Sequence, residues 1–213
     1  MLNWGHVAAT MQSTTNCNKT TQCDGRMCNN GKQPCKSNGP PYWVTAEFKR
    51  ACDPLQPLDA IVIMLGTNDA KRTNWVDLGN QTQYRDDATR MVNVFRSLPQ
   101  RPAVFIATPP PLYGDVYTMN QTVIGEVIPR ILKAVAAETN ATFIDVVTPL
   151  GGMDRALPWL FFPNETNGGC DVPKQCKGDG CHPDDAGHRA IANVVQHALG
   201  SAGVLPALDR ADG

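Results

Sequence analysis

The sequence contains no long hydrophobic run. The longest, Ala60 to Leu65, falls far short of the ~20 apolar residues that a membrane-spanning helix needs, so no membrane span is expected. It also lacks an excess of either charge: 19 Lys and Arg stand against 20 Asp and Glu, a net charge of −1. Without a basic excess there is no electrostatic case for nucleic acid or an anionic membrane as the main partner. Met1 to His6 hold neither a basic stretch nor the apolar segment of a secretory signal. Charged residues are few, at 18%, but hydrophobic ones reach 42%, which excludes wholesale disorder. The 213 residues suit a single domain, 1–213, able to hide roughly 70% of its unfolded surface.

What is abundant points to another compartment than the missing signal does. There are eight cysteines: Cys17, Cys23, Cys28, Cys35, Cys52, Cys170, Cys176 and Cys181. Five N-x-[ST] sequons stand at Asn18, Asn80, Asn120, Asn140 and Asn164, the candidate glycosylation sites. Together they predict a secreted glycoprotein that passes through an oxidising route, with each sequon at the surface. The Cys/His spacings match no closed zinc pattern, so disulfides are expected in place of a metal. Five cysteines lie in the amino-terminal part and three in the carboxy-terminal part, so full pairing requires at least one bridge between the groups. The missing signal is expected either to have been trimmed or to lie upstream, in a longer parent protein.

Residues 12–41 are polar, rich in Gly, Pro, Asn and Lys, and hold four cysteines; they read as a disulfide-stapled insertion. Tyr42 to Cys52 reads as a short helix. Ala60 to Leu65 is a β-branched apolar run, the pattern of a strand buried on both faces. Gln83 to Leu98 places Ala88, Met91, Val92 and Phe95 at helical spacing. Ala103 to Ala107 reads as a second strand, Val123 to Thr139 as a helix bent at Pro129, and Thr142 to Val147 as a third strand. Residues 151–183 read as a cysteine-containing loop, and a last helix follows Pro183, capped by Asp184 or Asp185. Strands alternating with helices predict an α/β fold with a mostly parallel sheet between helical layers. Ligands of such sheets gather beyond the carboxyl ends of the strands. No glycine-rich phosphate loop is present, which counts against a flavodoxin-like ligand-binding domain.

Two short stretches could carry chemistry. Gly66-Thr67-Asn68-Asp69 follows a strand, where the Asn68 carboxamide could hold a developing oxyanion; the plainer reading is a set of turn hydrogen bonds. In Asp179-Gly180-Cys181-His182-Pro183, an Asp three residues before a His could orient the imidazole within one tight turn and leave Nε2 as a general base. The plainer reading there is a surface His and a capping Asp.

The ordered set of motifs is more specific than any member. Asn3-Trp4-Gly5…Ala9-Thr10 precedes Pro40-Pro41-Tyr42-Trp43…Ala46-Glu47-Phe48, then Ile63 to Asp69, Thr108-Pro109-Pro110-Pro111, Phe143 to Val146, and Asp179 to Pro183 with Gly187-His188. In this order the chain resembles the SGNH (GDSL-type) esterase and lipase superfamily. The resemblance implies a three-layer α/β/α sandwich around a five-stranded parallel sheet. It implies a serine-type hydrolase of acyl esters, often acetyl groups on carbohydrates, acting on small-molecule or carbohydrate esters without metal or organic cofactor. Asp179 and His182 match its catalytic Asp and His, and Asn68 its oxyanion-hole Asn. The family's oxyanion Gly falls at Ala8, where a backbone N–H is the donor.

The family's nucleophile lies in a Gly-Asp-Ser block upstream of Asn3 to Thr10, after the first strand. Of the four serines, Ser13 and Ser37 fall in the insertion, Ser97 ends a helix and Ser201 is in the tail, none on a strand-to-helix turn. The sequence as it stands is thus expected to lack both nucleophile and first strand, leaving strand edges unpaired. The alternative function on the same scaffold is a secreted, catalytically inactive glycan-binding or interaction protein.

Overall fold

The computed structural model of the chain describes residues 2–5, 9–13, 40–152, 161–163 and 178–205. Three parallel strands form its centre: β1 (Ala60–Ile63), β2 (Ala103–Ala107) and β3 (Thr142–Ile144), in the order β1-β2-β3. Ile61 lies opposite Val104, and Ile106 opposite Phe143. Parallel neighbours need a long crossover, and helices supply it: α2 (Leu78–Arg96) joins β1 to β2, and α3 (Ile128–Thr139) joins β2 to β3. A short α1 (Ala46–Ala51) precedes β1, and α4 (Asp185–Ser201) ends the described chain.

The strands' alternating side chains sort the core into two layers. Ile61, Ile63, Val104 and Ile106 join Ala88, Met91, Val92 and Phe95 of α2 and Ile131, Leu132 and Val135 of α3. On the opposite face Phe105, Ala107 and Ile144 meet Ile191, Val194, Val195 and Leu199 of α4. The α/β fold and its three layers are those expected. Each fully buried aliphatic or aromatic side chain here contributes about 1.5–3 kcal/mol.

Several elements differ from the sequence reading. β1 alternates: Ile61 and Ile63 are buried, whereas Ala60 and Val62 are only half covered. It is not the strand buried on both faces that its composition suggests. Among the described residues its strand partner is β2 alone, and the main strand contacts of α4 are with β3 and β5. The helix expected from Gln83 starts at Leu78, because Asp77 and Asn80 close a capping box before any apolar repeat begins. The bend expected at Pro129 is a π-helical turn, Val123–Val127, ahead of α3. Pro129 has no N–H for the Gly125 carbonyl, and the turn widens so that the Ile128 N–H donates to the Val123 carbonyl. The third strand stops at Ile144.

Residues 151–183, read as a loop, contain two short strands. β4 (Phe161–Pro163) and β5 (Gly178–Pro183) pair antiparallel, with an irregular register. Their Gly, Pro and Asp content and lack of alternation conceal them in the sequence. The cap of α4 is as expected: the Asp184 carboxylate accepts the Gly187 N–H at 2.8 Å. Of the insertion at 12–41, only residues 12, 13, 40 and 41 are described, and Cys17, Cys23, Cys28, Cys35, Cys170 and Cys176 also lie outside the described residues. Cys52 is a half-buried thiol whose pKa burial pushes up. No described helix is long and apolar enough to cross a membrane.

Candidate active site

The turn after β1 is shaped by one glycine. Gly66 adopts φ +143°, and a Cβ there would come within 3.0 Å of the Tyr84 hydroxyl and 3.2 Å of both Ile128 and Pro109. Only glycine lets the chain leave the sheet this closely. The Tyr84 hydroxyl donates to the Leu65 carbonyl at 2.9 Å, and the Ala70 N–H closes the turn on the Gly66 carbonyl at 3.1 Å.

Asn68 and Asp69 do more than satisfy this turn. The Asp69 carboxylate is fully buried and accepts the Met11 and Gln12 N–H groups, both at 2.8 Å. Burial pushes its pKa up to about 6, against the lowering effect of those two bonds. Asp69 thereby fastens residues 9–13 onto the turn across nearly sixty positions of sequence. Asn68 donates its carboxamide N–H to the Ala9 carbonyl at 3.4 Å, while its own carbonyl accepts from the Asn74 side chain at 2.9 Å. The carboxamide therefore borders the segment that continues from Ala8. Ala8 itself lies outside the described residues.

The loop after β2 links this turn to β5. On one side the Arg72 N–H donates to the Thr118 carbonyl, and the Asn120 N–H to the Ala70 carbonyl, each at 2.9 Å. Lys71 bridges to Met119. On the other side the Tyr113 N–H donates to the Gly180 carbonyl at 3.0 Å. Gly180 has φ +76°, and a Cβ there would lie 2.7 Å from the Tyr113 carbonyl oxygen, so no larger residue fits. Residues 113–121 are in this way stitched both to the Asn68 turn and to the strand of His182. Burial lowers the Lys71 pKa, and the Cys181 sulfur opposes that shift.

His182 is exposed on β5, with its imidazole edge-to-face with the Tyr117 ring at 5.5 Å between centroids. The tight turn expected from Asp179 to His182 is instead an extended strand. In a regular strand residues three apart face opposite sides, but Gly180 in the left-handed region interrupts that alternation. The backbone of Asp179 is within β5, while its side chain lies outside the described residues. His188, one turn into α4, places Nδ1 at 2.9 Å from the Asp184 carbonyl.

The serines occupy structural positions. Ser13 donates its N–H to Asp87 at 2.7 Å, the Ser97 hydroxyl donates to the Val94 carbonyl at the end of α2, and Ser201 closes α4. Ser37 lies outside the described residues, as do Asn18 and Asn164. Asn80 is committed: its carbonyl accepts the Val76 N–H at 2.8 Å, and its amide reaches Gln12 at 3.4 Å. The Asn120 side-chain carboxamide oxygen accepts the Val123 N–H at 3.2 Å. Asn140 is exposed, in the left-handed position that ends α3. Among the described residues no group of three His, Cys, Asp or Glu side chains could hold a metal ion.

The sequence reading missed Tyr117 and the long-range role of Asp69. Neither has a periodic signal, since both act through loop geometry.

Residues 38–190 match the model of the GDSL-like lipase/acylhydrolase family. The chain belongs to that family. An acetylxylan esterase of Xylanibacter ruminicola is 25% identical over 159 residues, which is 66% of this chain and 28% of that protein. The chain therefore spans little more than a quarter of that relative's length. A solved peptidoglycan O-acetylesterase matches with a TM-score of 0.52 at 20% identity, over 72% of this chain and 41% of that one. The native aryl esterase of M. smegmatis matches with a TM-score of 0.51 at 17% identity, over 93% and 75%. At such identities the structural matches speak for the fold, an α/β sandwich with a parallel sheet.

Proposed function

We propose that the protein is a serine-type carboxylic ester hydrolase that removes acetyl groups, with carbohydrate esters as its substrate class. Family membership and the likeness to an acetylxylan esterase support the reaction class. The observation that carries the site is the attachment of both the Asn68 turn and the β5 strand of His182 to the single loop 113–121, beyond the carboxyl ends of the parallel strands.

In this reading His182, oriented by Asp179, takes the proton of a serine hydroxyl as its oxygen attacks the ester carbonyl. The serine is the one that the family's Gly-Asp-Ser block implies. The Asn68 carboxamide, the Ala8 N–H and the serine N–H hold the negative oxygen of the tetrahedral intermediate. The intermediate collapses, His182 passes its proton to the leaving alcohol, and the acyl-enzyme is hydrolysed by a water that His182 deprotonates in turn. The test is hydrolysis of an acetyl ester by the full-length protein. Asn68→Ala is expected to lower kcat about 10²- to 10³-fold with little change in KM, as loss of one oxyanion donor does. Near-normal turnover would remove Asn68 from that role.

The eight cysteines and five sequons support secretion as part of the same proposal. Asn140, exposed at a helix end, is the described sequon best placed to carry a glycan, whereas the Asn80 carboxamide is consumed by the cap of α2. Mass spectrometry of protein secreted from a glycosylating host should find Asn140 occupied and Asn80 bare. The reverse pattern would contradict it.

A further inference from the structure

We propose that Tyr117 receives the alcohol portion of the ester and that this alcohol is a sugar ring. The proposal rests on the reading of His182 as the base and extends it to substrate choice.

The first observation is placement. The Tyr117 ring stands edge-to-face with the His182 imidazole, 5.5 Å between centroids and 69° between planes, yet 54% of Tyr117 remains exposed. A large aromatic surface is thus open to solvent right beside the proposed base. The second is backbone strain. Tyr117 has φ +49° and Thr118 φ +64°, two successive non-glycine residues in the left-handed region. Such strain persists only where the surroundings over-determine it.

They do so here. The Met119 N–H donates to the Val116 carbonyl at 2.8 Å, and Thr118 and Asn120 are bonded to residues 70–72. Asp115 accepts the Gln121 N–H at 2.9 Å and pairs with Arg72 at 3.0 Å. Met119 is buried while its neighbours Tyr117 and Thr118 face outward. The loop therefore spends strain to present one aromatic ring at a fixed position.

The chemistry of the reaction says what that position meets. The acyl oxygen must lie on the Asn68 side, where its charge is held. The leaving alcohol must lie on the His182 side, because His182 returns the proton to it. A ring bordering His182 therefore borders the alcohol. Its flat apolar face suits the C–H face of a sugar ring. The one charged side chain of residues 113–121, Asp115, is paired with Arg72, so the loop offers nothing to a charged alcohol.

The test compares two acetyl esters with the full-length protein: an acetylated xylo-oligosaccharide and methyl acetate, whose alcohol is too small to reach the ring. Tyr117→Ala should lower kcat/KM for the sugar ester about tenfold, mainly through KM, and leave methyl acetate within twofold. Tyr117→Phe, which keeps the ring, should retain both activities. Tyr117→Gly, which relieves the backbone strain, should reproduce the alanine result and guards against misfolding as the cause. An equal loss on both esters would mean that the ring acts only through His182 and would overturn the proposal, as would no loss on either. If the wild-type protein cleaves neither ester, the hydrolase reading fails separately. The Tyr117 claim is then read from binding: titration with the acetylated xylo-oligosaccharide should shift the His182 ring signals in NMR spectra of the wild type and not of Tyr117→Ala. No shift in the wild type would overturn it.

Discussion

Replacing His182 with alanine is expected to lower kcat for an acetyl ester by roughly 10³-fold or more in the full-length protein. The imidazole is asked to act twice, as base towards the serine and then towards water, and to serve as acid for the leaving alcohol in between. Among the described residues no neighbour replaces it. Lys71 is buried, and His188 is turned to the Asp184 carbonyl. KM should change little, because the imidazole contributes little to ground-state binding. Burst and steady-state kinetics on a chromogenic acetate would measure the effect, and turnover within tenfold of wild type would take His182 out of the mechanism.

The second large effect concerns the clamp under the site. Asp69→Asn should destabilise the fold by about 2–4 kcal/mol near neutral pH. The change turns one acceptor into a donor facing a buried backbone N–H, and an unsatisfied buried group costs about 1–3 kcal/mol. The bond to Met11 or to Gln12 is lost, and with it the hold on residues 9–13 that places Ala9 against Asn68.

The pH dependence has a definite sign. Burial raises the folded pKa of Asp69 to about 6 from an ordinary 3.8. Between those values the folded state keeps a proton that the unfolded state has released. The Asp69 contribution is therefore fully present below pH 3.8 and declines as pH rises to about 6, by on the order of 3 kcal/mol. Denaturant melts of wild type and Asp69→Asn from pH 4 to pH 7 should show the gap between them shrinking as pH rises. A widening gap would mean that the two N–H bonds outweigh burial.

The alternation of strands and helices was legible because it rests on local patterns that burial imposes. The Val104 to Ala107 stretch of β2 is buried on both sides, and its composition says so. Asp184 caps α4 because a short acidic side chain can reach Gly187 within one turn. What depends on distant partners was hidden. The half-open face of β1 follows from which layer α4 covers, which Val62 and Met64 cannot reveal by themselves. The β4–β5 pair joins segments rich in turn formers, stabilised by pairing rather than propensity. Asn68 and His182 were legible as candidates through motif order, but their common attachment to residues 113–121 depends on backbone bonds that leave no mark in composition. Tyr117 was illegible for the same reason: its importance lies in a left-handed backbone and a neighbour 65 positions away.

The central claim is that the Asn68 carboxamide and the His182 imidazole serve one ester between them. The most direct measurement is a crystal structure of the full-length protein after reaction with an acyl-mimicking phosphonate. The account predicts an adduct on the nucleophilic serine whose phosphoryl oxygen accepts from Asn68 at about 3 Å, with the His182 ring within hydrogen-bond reach of the serine oxygen. An adduct that touches neither residue, or the two side chains at opposite edges of the sheet, would contradict it.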